Sequence, residues 1–159
     1  SHRDRDDQSL KKNGMKSTRA ARHRARRFAL QALYQGRFVD IPARQIIDEF
    51  YEDNDFKRAD AAYFGELVEG TARSRETLWQ VIEPFLDREP GAIDVIEEVI
   101  LLLGAFELSA KPEIPFRVVL SEAVELALEF GAEGGHKYVN SILDRLAKHY
   151  RPVETSPAS

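Results

Sequence analysis

A chain of 159 residues with 43% hydrophobic and 31% charged side chains has the balance of one globular domain, which excludes a disordered chain and argues against a second domain. With no cysteine there is no disulfide framework, thiolate metal site or cysteine nucleophile, and the longest apolar stretch, residues 99–106, falls far short of the roughly 20 residues of a membrane span. The formal charge is −4, yet residues 16–27 carry six basic side chains (Lys16, Arg19, Arg22, Arg24, Arg26, Arg27) and no acid, against thirteen basic and twenty-four acidic after Phe28. A compact basic block on an acidic body is the footprint of a protein that meets phosphate in one place and repels it elsewhere. No charged-then-apolar leader opens the chain, and a cytoplasmic location without membrane contact is expected.

Residues 1–15 are polar and aperiodic and are expected to be disordered. Helical composition, rich in Ala, Arg and Leu, runs from Ala20 to about Phe38. Pro42 opens a second helix to about Glu52, with Ile46, Ile47 and Phe50 at core spacing. Residues 57–86 are also helical in pattern, but thirty residues is long for a soluble helix, and Gly70-Thr71 is the natural break, so two helices are expected there. A turn at residues 88–92 leads to residues 94–109, which are apolar nearly all round and belong at the centre of a bundle. Pro112 and Pro115 interrupt the chain before a helix over 116–130, and Gly131 ends it. The last helix, 135–150, places Val139, Ile142, Leu143, Leu146, Ala147 and Tyr150 on one face. The expected fold is therefore all-α, one domain of about seven helices over residues 16–150, with Leu102, Leu103, Phe106, Ile142 and Leu146 in its core. A disordered tail is expected over 151–159.

Two constellations carry chemistry. On a helical wheel Arg19, Arg22, His23 and Arg26 share an arc flanked by Arg24 and Arg27, and clustered guanidinium groups suit phosphate contacts and stacking on unpaired bases. Six like charges in twelve residues repel one another unless a partner neutralises them. The second is the Gly-rich stretch 131–135 running into a helix with Lys137 and Tyr138, which could receive a phosphate and stack a base, although it is no P-loop. Glu122, Glu125 and Glu129 share a helix face but have no nucleophile or metal ligand at matching spacing, so they read as a solvated side. The four histidines fit no zinc or triad pattern, and neither an enzyme nor a cofactor is expected.

Two segments, Arg22-His23-Arg24-Ala25-Arg26-Arg27-Phe28-Ala29-Leu30-Gln31-Ala32-Leu33-Tyr34 and Phe130-Gly131-Ala132-Glu133-Gly134-Gly135-His136-Lys137-Tyr138-Val139-Asn140-Ser141-Ile142-Leu143-Asp144, resemble the NusB family of transcription antitermination proteins. Glu107-Leu108-Ser109, Ile114-Pro115-Phe116-Arg117-Val118-Val119 and Glu122-Ala123-Val124-Glu125-Leu126-Ala127 add to the resemblance, which spans about residues 16–150. It implies two helical sub-bundles, pairing with the small-subunit ribosomal protein NusE, and binding of the boxA element of nascent ribosomal RNA within the transcription elongation complex. It also implies RNA contacts at Arg22, Arg24, Arg26 and Tyr138 and partner contacts at Tyr34 and Glu97. Family members differ in whether they form homodimers. Arg27 stands where relatives often carry an acid, and Gly134-Gly135 replaces side chains whose roles do not transfer. The competing reading is a helical adaptor that binds protein alone; an RNA-methyltransferase family also carries such a helical domain, beside a catalytic domain this chain has no length to hold.

Overall fold

The computed structural model describes residues 17–89 and 91–157. Every regular element among them is helical: α1 Arg19–Gly36, α2 Ala43–Asp53, α3 Ala61–Ile82 continued by a 3-10 turn Glu83–Phe85, α4 Val95–Ala110, α5 Phe116–Phe130 and α6 Gly135–Tyr150. The expected disordered extension and Lys16 lie outside the described residues. Side chains set the helix starts. The Thr18 hydroxyl accepts the Ala21 N–H at 3.0 Å to open α1, and the Asp60 carboxylate accepts the Tyr63 N–H at 3.0 Å to open α3.

α1, α2 and α3 pack on one another, as do α4, α5 and α6, and α4 also packs on α1 and α3. The two sub-bundles are therefore joined through α4, whose residues from Val99 to Leu108 are all buried. An amphipathic helix needs one apolar stripe, whereas a helix shared by two bundles needs apolar surface all round, as the composition of this segment predicts. Leu102, Leu103, Phe106, Ile142 and Leu146 are in the core as expected.

Six α-helices stand where about seven are expected, because α3 runs unbroken through Gly70 and Thr71. Glycine is not a breaker here. A Cβ on Gly70 would lie 2.3 Å from Cζ of Phe106, so the missing side chain makes room for the α4 ring. A helical glycine costs about 1 kcal/mol relative to alanine, which packing of a phenylalanine ring readily offsets.

The expected structureless tail is also corrected, over residues 151–157, by a run of turns. Arg151 is buried and donates to the carbonyls of Leu108 at 2.7 Å, Lys111 at 2.9 Å and Ile114 at 2.9 Å, and to Glu154 at 2.6 Å. It thus satisfies carbonyl groups left open at the end of α4 and places a cation at that helix's negative pole. The backbone N–H of Phe116 holds the Glu154 carboxyl below its usual range, as does the paired Arg151. Arg151→Ala is expected to lower stability by about 2–3 kcal/mol in urea melts, since several buried carbonyls would lose their donor at once; a loss under about 0.5 kcal/mol would show that the anchor contributes little.

Candidate nucleic-acid interface

The basic arc of α1 divides when the tertiary structure is formed. Arg26 turns inward and is only 3% exposed. Its Nε and Nη2 donate to Glu107 of α4 at 3.0, 3.1 and 2.9 Å, and its Nη1 lies 3.8 Å from Glu122. Tyr63 of α3 donates its hydroxyl to the same Glu107. Burial by itself pulls the Arg26 pKa down, but the Glu107 carboxylate and its hydrogen bonds more than reverse this, so the group is held above its ordinary value. Burial, then the Glu107 charge, pushes the Tyr63 phenol well above its usual range, which keeps it a donor. Arg26 therefore belongs to a buried charge network, and the expectation that it meets RNA is corrected.

The neighbours of Arg26 on the same side reach α5. His23 Nδ1 lies 2.6 Å from Glu122 and 3.4 Å from Glu125, and Arg27 holds Glu129 with Nη2 at 2.5 Å and Nε at 3.1 Å. The row of glutamates read as a solvated side is the counter-charge for the basic helix, and Glu122 is buried. This answers how so many like charges coexist on one helix: carboxylates from α4 and α5 neutralise His23, Arg26 and Arg27 within the chain. His23, Glu122 and Glu125 bring ligand atoms within 4.8 Å of one another, but the Arg26 guanidinium beside Glu122 already supplies the positive charge a metal ion would bring.

What remains open on α1 is a smaller set. Arg19 is exposed and has no ion-pair partner among the described residues. Arg22 lies with its guanidinium 4.7 Å from the Tyr63 ring centroid, its Nε buried and without an acceptor. Arg24 gives one N–H to the carbonyl of Arg58 at 3.3 Å and keeps its other donors.

The Gly-rich loop has a structural reason. Gly134, at φ +78°, turns the chain into α6 in a conformation that L side chains rarely adopt. A Cβ on Gly135 would stand 2.7 Å from Oε1 of Glu97, so glycine lets the first turn of α6 come down on that carboxylate. Glu97 is 2% exposed, with Arg88 Nη1 3.8 Å from its Oε2. Its negative charge already faces the positive end of α6, so the loop is not the phosphate cradle that its glycines suggested. Nor does Glu97 present itself on the surface to a partner; burial corrects that expectation too. Lys137 is exposed, and Tyr138 is half-buried with its hydroxyl enclosed and unpartnered. The Arg88 guanidinium lies 3.9 Å from the Tyr138 ring centroid. No sequence pattern pointed to Arg88, which stands in a turn outside any periodic segment.

The two candidate areas are thus separate. Arg26 is tied to Glu107 near the end of α4 and Tyr138 sits by Glu97 near its beginning, ten residues or roughly 15 Å along the helix. Arg27, 5.8 Å from the Phe130 ring centroid, stands between them at the end of α5. On another side, Tyr34 is 39% and Phe38 63% exposed, stacked edge-on at 5.2 Å, beside exposed Val39. Phe38 and Val39 escaped the sequence reading because they follow the periodic part of α1.

Comparison with known proteins agrees with this architecture. The sequence profile of the NusB family matches residues 23–148. The chain is 44% identical over 136 residues to the transcription antitermination protein NusB of Marinobacter nauticus, covering 86% of each chain. It is 45% identical over 134 residues to the protein of the same name from Xanthomonas axonopodis pv. citri, covering 84% of each. A solved structure of T. maritima NusB superimposes with a TM-score of 0.69 at 30% identity, over 79% of this chain and 89% of that one. With six helices in the same arrangement and most of its length matched at this identity, the chain belongs to the NusB family.

Proposed function

We propose that this protein is a transcription antitermination factor that binds the boxA element of nascent ribosomal RNA together with NusE, and so acts in the transcription elongation complex. The observation that carries the reading is the set of arginines left without carboxylate partners on α1, namely Arg19, Arg22 and Arg24, in a chain whose remaining surface is acidic. Surface cations of one sign with no internal counter-charge are electrostatically complementary to an RNA backbone. Lys137 and Tyr138 extend the contact, Lys137 as a cation and Tyr138 as a stacking platform. The protein acts by binding rather than by catalysis, in the cytoplasm, and no helix among the described residues is long and apolar enough to cross a membrane.

Tyr34, Phe38 and Val39 form the surface assigned to the protein partner, since exposed aromatic side chains contribute strongly to interfaces. The same apolar group favours the second reading, an adaptor that meets protein alone, and a second copy of the chain would also cover it. Titration with boxA RNA and a scrambled RNA of equal length, at several salt concentrations with and without NusE, separates these readings. Absence of salt-dependent RNA binding in both conditions leaves only the adaptor.

Tyr138 allows a finer prediction. A base stacking on its covered face displaces Arg88, exchanging a cation–π contact for a stack, so the net gain is at the low end of stacking energies, about 1 kcal/mol. Tyr138→Ala is therefore expected to weaken boxA binding about fivefold without changing its salt dependence. A reduced salt slope would mean that Tyr138 orders a phosphate contact instead.

A further inference from the structure

The loop between α2 and α3, residues 54–60, is fastened to α1 at three points. The Phe56 ring stacks on Phe28 with centroids 4.5 Å apart and an interplanar angle of 30°. The Asp60 N–H donates to the Ala21 carbonyl at 3.1 Å, and Arg24 Nη1 donates to the Arg58 carbonyl at 3.3 Å. These contacts place Lys57 and Arg58, far from the basic block in sequence, on the same surface as Arg24.

Arg24, Arg27, Phe28, Gln31, Asp55 and Arg58 line a concavity of about 180 Å³. Its cations are not equivalent. Arg27 is committed to Glu129, whereas the Arg58 side chain has no hydrogen bond or ion pair among the described residues, and Arg24 spends a single N–H on a backbone carbonyl. Asp55 is the one carboxylate in the lining, and it accepts the Lys57 N–H at 2.9 Å. Two guanidinium forks with free donors, over an aromatic floor and continuous with Arg19 and Arg22, match the oxygens of a phosphodiester.

We propose that Arg24 and Arg58 together take one phosphate of the RNA backbone, so that the RNA path leaves α1 and continues onto the α2–α3 loop, with Asp55 weakening the hold. This rests on the RNA reading above and extends it to a segment outside the basic block.

The test is titration of single-stranded boxA RNA against the full chain and three variants, with circular dichroism to check folding. Arg58→Gln removes a side chain with no internal partner, and it is expected to weaken binding about fivefold at about 0.1 M salt and to lower the salt slope by about 0.7. Asp55→Asn keeps the acceptor for Lys57 but removes the charge, and it is expected to tighten binding by roughly twofold, a gain that no folding defect can imitate. Arg73→Gln, an exposed α3 arginine thirteen residues beyond Asp60 and so roughly 20 Å along the helix, is expected to bind as the unmodified protein does. If Arg58→Gln and Asp55→Asn both match the unmodified protein while substitutions at Arg19 and Arg22 weaken binding, the pocket is overturned and the RNA reading stands. If the unmodified protein binds no RNA, both are overturned.

Discussion

Arg26→Ala is expected to destabilise the fold by about 3–5 kcal/mol, enough to leave a large part of the protein unfolded. Removing the guanidinium leaves the Glu107 carboxylate buried with the Tyr63 hydroxyl as its remaining side-chain donor, and it withdraws the positive charge beside Glu122. Urea melts measure the loss. A companion variant separates burial from RNA contact: Arg26→Met, Glu107→Leu and Tyr63→Phe together remove the network as a unit and leave no orphaned charge. Apolar replacement of a buried pair is often neutral, so this triple variant is expected within about 1 kcal/mol of the unmodified protein. Its RNA affinity should be unchanged, because the net charge is the same and none of the three side chains reaches the surface. A stable Arg26→Ala protein that had lost RNA binding would place Arg26 back among the RNA contacts.

Simultaneous Arg19→Gln, Arg22→Gln and Arg24→Gln is expected to weaken RNA binding about a hundredfold at about 0.1 M salt and to lower the salt slope by about 2, as three lost phosphate contacts require. The effect should be similar on boxA and on a scrambled RNA, since phosphate contacts carry no sequence information. Stability should fall by no more than about 1 kcal/mol, because only Arg22 makes an appreciable internal contact, with the Tyr63 ring. Binding and slope at their original values would mean that these arginines form an ordinary solvated surface. The contrast with Arg26 is the point of the pair of experiments: four arginines within eight positions of one helix, of which three act on RNA and one on the fold.

The amino-acid sequence by itself determined the elements and the class of protein. The apolar run from Val99 to Phe106, the proline breaks at 112 and 115, and the helical spacing of Val139, Ile142, Leu143 and Leu146 give α4, α5 and α6 within a residue of where they stand. These features are legible because helix formation and burial of an apolar face are local properties with a period of 3.6 residues. Only the tertiary structure decided which charges are free. The helical wheel put Arg19, Arg22, His23 and Arg26 on one arc, but nothing within α1 says that Glu107, 81 residues away, will take Arg26 into the core, or that Glu129 will hold Arg27. The same holds for Glu97 under the glycines of α6, for Gly70 giving way to Phe106, and for Arg151 closing the end of α4. A charged side chain is functional or structural according to the partners brought to it from elsewhere in the chain, and a one-dimensional pattern carries the residue type without the partner.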